Sequence, residues 1–180
     1  WEGTPSSPFS PGPAPEELSA SSAPPEDDAT WAPSGIAGSR LAAAMAAARV
    51  TRALCISTTM EEFPSVQALA TEYDNFWASA GVHPDTEGLR EPSYEDLLDL
   101  GSRPRVVAIG ETGLDYYQME ERKGGRGIAD MEWQRERFRT HIRAARQVGV
   151  PLVIHTRAAS DDTLAILRGE GEQGGAGGAG

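Results

Sequence analysis

The sequence predicts a parallel α/β fold. Three observations carry that prediction. Short apolar runs alternate with helix-periodic segments along the chain. The runs are rich in Val, Ile, Ala and Leu, as strands covered on both faces are. Two of them, Val106–Ile109 and Leu152–Ile154, break off into polar side chains able to bind a metal. That is the pattern of parallel strands with chemistry at their C-terminal ends.

The elements follow in order. Arg40–Arg49 is Ala-rich with Leu41 and Met45 at i,i+4, a helix with a small-residue face. Val50–Ser57 reads as a strand. Thr59 with Glu62 offers a capping box. The helix after it places Val66, Leu69, Ala70 and Tyr73 on one face, with Pro64 early, where it costs least. Asn75–Val82 is a second strand, closed by His83-Pro84. Ser93 and Asp96 cap the next helix, with Leu97, Leu98 and Leu100 apolar and Gly101 as its stop. Arg105–Gly110 is the third strand. Lys123–Gly127 marks a long polar loop. Met131–Val148 is the strongest helix, with Gln134, Phe138, His141, Ile142 and Ala145 recurring at helical spacing. Gly149 ends it. Pro151–His155 is the fourth strand, and Ser160 or Asp161 caps a last helix with Leu164 and Leu167 inward. Alternation of this kind implies right-handed crossovers, in a barrel or an open sheet.

The ends read differently. Residues 1–34 hold eight prolines and no Lys or Arg, and residues 169–180 are almost all Gly, Ala, Glu and Gln. Neither buries enough apolar surface to offset ordering entropy, so both are expected to be disordered, leaving 35–168 as the folded domain. Eight of the 27 acidic residues lie in these ends, leaving 19 against all 16 basic ones. The net charge of -11 is therefore largely a property of the ends. It argues against a basic nucleic-acid-binding patch, and only weakly against a nuclease, since a metal can supply the positive charge. The single Cys55 excludes a disulfide framework and reads as a buried apolar residue in a reducing, cytoplasmic setting. No apolar run approaches the ~20 residues of a membrane span.

Glu111 lies past an apolar strand in Gly-Glu-Thr-Gly, where a carboxylate can bridge two hard cations or simply cap a turn. His155 ends the fourth strand, and consecutive parallel strands bring such ends side by side. Its imidazole suits Zn²⁺ or Mn²⁺, against a purely structural role. Arg157 either grips a phosphate or pairs with Asp161 or Asp162. Asp115 either hydrogen-bonds a metal-binding histidine from behind or stabilises a turn. His83 contacts substrate or shapes a turn. His141, in mid-helix, is structural or solvent-facing.

Four blocks resemble the TatD family of metal-dependent deoxyribonucleases. They are Gly81-Val82-His83-Pro84, Ala108–Tyr117, Gln134 with Phe138, and Pro151–Arg157 followed by Ala158 and Asp162. The resemblance implies a (β/α)₈ TIM barrel, of which residues 40–168 would form strands two to five. It implies two divalent cations (Mg, Mn or Zn), hydrolysis of DNA phosphodiesters at single-stranded or 3′ ends, Glu111 and His155 as metal ligands, and Arg157, Asp115 and His83 around them. The family's His-x-His pair, its later His and its Thr-Asp-Ser-Pro segment have no counterpart here, because the only histidines are His83, His141 and His155. Four strands leave open edges and an uncovered interior, so self-association is expected. The alternative is an inactive half barrel or an interaction module.

Overall fold

The computed structural model describes residues 35–175. The element order is α1 (Gly35–Ala47), β1 (Ala53–Cys55), α2 (Phe63–Glu72), β2 (Phe76–Ala80), α3 (Tyr94–Gly101), β3 (Val106–Asp115), α4 (Met119–Arg122), a 3₁₀ turn (Ile128–Met131), α5 (Glu132–Val148), β4 (Leu152–Arg157) and α6 (Ser160–Gly175). The four strands pair in sequence order, all parallel, as a curled half-barrel wall. The partial TIM barrel expected from the sequence is what forms.

Local chemistry sets most boundaries. Ser93 and Asp96 make the full reciprocal capping box at α3. At α2 only half of the expected box forms. Thr59 Oγ1 accepts from the Glu62 N–H at 3.0 Å, but the Glu62 carboxylate turns to Thr58. Gly149 ends α5 at φ 80°, its N–H bonded to Ala145 O. Gly101 does not stop α3 from outside. It is the last helical residue, and a Cβ there would meet Ile109 Cδ1 at 2.9 Å. Arg105 gathers the carbonyls of Ala70, Tyr73, Asp74 and Phe76, satisfying the C-terminal end of α2.

Two strands differ in length from expectation. β1 keeps only Ala53–Cys55, because it pairs on one side alone. β3 runs five residues past Gly110, because β4 continues to pair with it from Thr112 to Asp115 after a register shift. Lys123–Gly127 is a loop as expected, flanked by α4 and the 3₁₀ turn.

The core lies between the sheet and its helices. Phe63, Phe76 and Phe138 are at most 1% exposed, each stabilising the fold by roughly 1.5–3 kcal/mol relative to exposure. One cluster joins α2, β2, α3 and β3. The other joins the end of β3 to α5 and α6 through Leu114, Phe138 and Ile166. Ala53 and Cys55 pack on the first cluster, so Leu54 between them faces the other side of the sheet. Val106 does the same for Val107. Leu54 and Val107 are 41% and 38% exposed. This is the uncovered inner wall. Cys55 is half-buried rather than buried.

α6 departs from expectation twice. Leu164 is exposed, and Thr163, Ile166 and Glu170 face inward with Leu167 half-buried. The helix also passes Arg168 and continues to Gly175. Its anchor is Glu170, 3% exposed, whose carboxylate takes two hydrogen bonds from Arg143 of α5. The proposed disordered segment 1–34 and residues 176–180 lie outside the described residues.

Candidate metal centre at the ends of the third and fourth strands

Glycine lets β3 and β4 close on each other. Gly110 and Gly113 have φ near 137° and 136°, and a Cβ on either would strike the backbone carbonyl of Val153 or His155. Glu111, between them, donates its N–H to Ser57 O at 3.2 Å. The register then sets Gly113 opposite His155 and Asp115 opposite Arg157.

This pairing brings the site together. Glu111 Oε1 lies 3.5 Å from His155 Nδ1. His155 Nε2 lies 3.2 Å from Asp115 Oδ2. A carboxylate only accepts, so Nε2 carries the ring proton and Nδ1 keeps the lone pair. His83 Nε2 approaches that Nδ1 at 3.2 Å, with the two rings edge to face. The Asp85 N–H donates to His83 Nδ1 at 3.1 Å, which leaves the His83 proton on Nε2. Two neutral imidazoles, each with its proton on Nε2, satisfy all of these hydrogen bonds.

Asp115 is almost wholly buried and is held from several sides. Its N–H donates to Gln134 Oε1, and its Oδ1 accepts from the Tyr117 N–H and from Arg122. Burial pushes its carboxyl up, but the Tyr117 N–H, Arg122 and His155 outweigh it and hold it below the usual carboxylate range. Burial, and then the neighbouring His155, push His83 below the usual histidine range, against the pull of Glu111, Asp85 and Asp115. His83 is further fixed by its carbonyl, which accepts from Arg137 at 2.7 Å.

Among the described residues, His83, Glu111 and His155 form the group whose ligand atoms lie within 4.8 Å of one another. Their chemistry fits a divalent cation in part. Glu111 brings anionic oxygen and His155 an outward lone pair, with Asp115 behind the ring as carboxylate–histidine–metal arrays require. His83 meets the distance test but not the tautomer test, because its Nε2 is protonated. It is a donor beside the two groups able to take a cation.

Every sequence-predicted site residue lies at this mouth. Arg157 pairs with neither aspartate. Its guanidinium stacks 3.7 Å from the centre of the Tyr117 ring, while Asp162 accepts from Tyr116. His141 is structural. It is fully buried, with Nδ1 donating to Arg137 O and Nε2 accepting from the Val82 N–H. Burial lowers its pKa to about 4. Sequence reasoning missed Arg137, Arg122 and Asp85. Arg137 had a signal, a cation on the apolar stripe of α5 one turn before His141. Arg122 and Asp85 had none, since each lies in a polar stretch.

The chain is similar to several known proteins. A family model described as TatD related DNase matches residues 34–178. An uncharacterized metal-dependent hydrolase of Escherichia coli K12, YcfH, is 43% identical over 129 residues, which cover 71% of this chain and 45% of that protein. The TatD protein of Mycobacterium tuberculosis, also described as an uncharacterized metal-dependent hydrolase, is 38% identical over 129 residues, 70% of this chain and 47% of its own. A protein of Escherichia fergusonii named 3'-5' ssDNA/RNA exonuclease TatD is 33% identical over 122 residues, 67% of this chain and 44% of its own. The crystal structure of YJJV, a TatD homolog from Escherichia coli K12, superposes with a TM-score of 0.63 at 27% identity, covering 74% of this chain and 51% of that one. The chain thus spans about half the length of the relatives it matches. Matched from residue 34 to residue 178 and folded as half of such a relative's barrel, the chain belongs to the TatD-related DNase family.

Proposed function

We infer that this chain carries one half of the catalytic face of a metal-dependent phosphodiesterase acting on single-stranded DNA, at 3′ ends. The observation that supports it most is the Glu111–His155–Asp115 array, an anionic oxygen and an oriented imidazole lone pair at adjoining strand ends. Glu111 and His155 would hold divalent metal, in the family a pair of Mg, Mn or Zn ions. Metal bound there supplies charge neutralisation and an acidified water for attack on phosphorus. Asp115 keeps the His155 ring turned with its lone pair outward. His83 offers an N–H to an oxygen at the same mouth, and its low pKa keeps it neutral near pH 7. Arg157, exposed and stacked on Tyr117, presents a planar fork to a phosphate from the rim. The half-buried thiol suits a reducing cytoplasm. The described helices include none long and apolar enough to cross a membrane.

The test is Mn²⁺ binding by calorimetry alongside nucleotide release from single-stranded DNA. Glu111→Gln removes the anionic ligand and should cost at least ~100-fold in metal affinity and in any release measured. Unchanged values for Glu111→Gln would refute the assignment. A second reading, a non-catalytic half barrel that associates with itself, is favoured by the exposed Leu54 and Val107 on its inner wall. Absence of Mn²⁺ uptake together with tight self-association would select it.

A further inference from the structure

Arg122 holds no metal and touches no substrate in the scheme above, yet it closes a ring of hydrogen bonds around the site. It lies at the end of α4, which leaves β3 through Gln118 in the left-handed region. Its Nη1 donates to Asp115 Oδ1 at 3.1 Å and to Tyr117 O at 3.0 Å. Its Nη2 pairs with the Asp85 carboxylate. From Asp85 the chain of donors runs onward: backbone N–H to His83 Nδ1, His83 Nε2 to His155 Nδ1, His155 Nε2 to Asp115 Oδ2. Asp115 then returns to Arg122. The ring joins the loop after β2, the end of β3 and the end of β4.

We propose that Arg122 is a positioning residue, which clamps Asp115 to Asp85 and so fixes the tautomers and ring orientations of His155 and His83. The geometry of Asp115 carries this. Arg122 and the Tyr117 N–H both take Oδ1, so Oδ2 is left facing His155. A competing state lies within reach. His155 Nδ1 is 3.5 Å from Glu111 Oε1, and a proton moved to Nδ1 would bond that carboxylate and consume the lone pair. Arginine suits the task because its rigid planar fork sets one nitrogen on Asp115 and the other on Asp85, whereas an ammonium such as Lys123, which joins Asp85 to Glu87, is a point charge without fixed donor directions. Arg122 is only 26% exposed but lies in a short helix, so its truncation leaves the two core clusters intact. Arg126 is an internal control. It sits in the same segment and binds Glu87 through both oxygens, with no contact to Asp115.

The inference rests on the proposed metal site for its consequence, and on the ring alone for its geometry. The experiment separates the two. The chain is labelled with ¹⁵N-histidine, and its three imidazoles are assigned by single His→Gln variants. Long-range ¹H–¹⁵N spectra at pH 8.5 then read the tautomers of the metal-free protein. His155 and His83 should each show the Nε2–H form in the wild type and in Arg126→Met. Arg122→Met should give His155 a mixture with the Nδ1–H form, and Arg122→Lys, which keeps the charge but not the fork, should give the same mixture. Mn²⁺ affinity should fall ~10–100-fold in both Arg122 variants and hold in Arg126→Met. Wild-type tautomers in either folded Arg122 variant, or equal scrambling in Arg126→Met, overturns the clamp. A tautomer shift in a protein that takes up no Mn²⁺ upholds the clamp and removes the metal reading.

Discussion

The β3–β4 seam and the β1 edge are built from the same kind of short apolar strand, yet they carry different loads. β3 and β4 stay paired to Asp115 and Arg157, and their last residues interlock through His155, Glu111 and Asp115. β1 pairs over three residues and leaves Leu54 uncovered. The seam has helices α5 and α6 behind it and the strap from Tyr116 to Met131 above. The edge has one neighbour. Chemistry collects where strands are braced on several sides, because a ligand set must be held to fractions of an ångström. The edge, with unpaired backbone groups and apolar side chains outward, is a surface for association.

Phe138→Ala should separate the two regions most strongly. It empties the centre of the cluster under the seam, and urea unfolding should show a loss of about 3–5 kcal/mol. Leu54→Ala at the edge should cost within about 0.5 kcal/mol. Equal losses would erase the distinction.

The next effect is pH dependence from His141, which braces the β2 end of the site. Its folded pKa of about 4 lies below the ordinary 6.5, so the unfolded chain binds a proton that the folded one refuses. Stability is therefore full above pH 6.5 and falls as pH drops toward 4, by up to about 3 kcal/mol at 1.36 kcal/mol per unit. Urea midpoints at pH 7.5 and 5 measure it. His141→Gln should flatten that interval, and a slope kept by the variant would assign it elsewhere.

Ser93→Ala, on the outer helix layer, loses the cap of α3 and should cost about 1 kcal/mol in the same assay. The smallest stability change, within about 0.5 kcal/mol, is expected for Leu54→Lys with Val107→Lys. Its readout is instead sedimentation. The wild type should associate with rising concentration and the double variant should not. A wild type that stays monomeric and unfolds cooperatively would show that the inner wall is no association surface.

Much of this was legible in advance because it is local. Ser93 and Asp96 sit three residues apart, and that spacing makes the capping box. Strand–helix alternation gives the parallel order. Apolar runs that stop at Glu111 and His155 mark strand ends, and parallel pairing makes those ends neighbours. Where local patterns misled, a distant contact decided. The Gly-rich sequence after Arg168 is poor helix material, yet Arg143 holds Glu170 and the helix continues. Leu164 fits an inward position by type, but it is 48% exposed and Ile166 faces the core instead.

The sequence by itself determined the α/β order, the family and the place of Glu111 and His155 at adjoining strand ends, because periodicity, caps and strand ends are short-range features. Only the tertiary structure decided that His83 is a donor, that Arg157 lies on Tyr117 and that Arg122 ties Asp85 to Asp115. A proton's place on an imidazole, and a cation's choice among several acids, depend on atoms brought within about 3 Å from elements far apart in the chain.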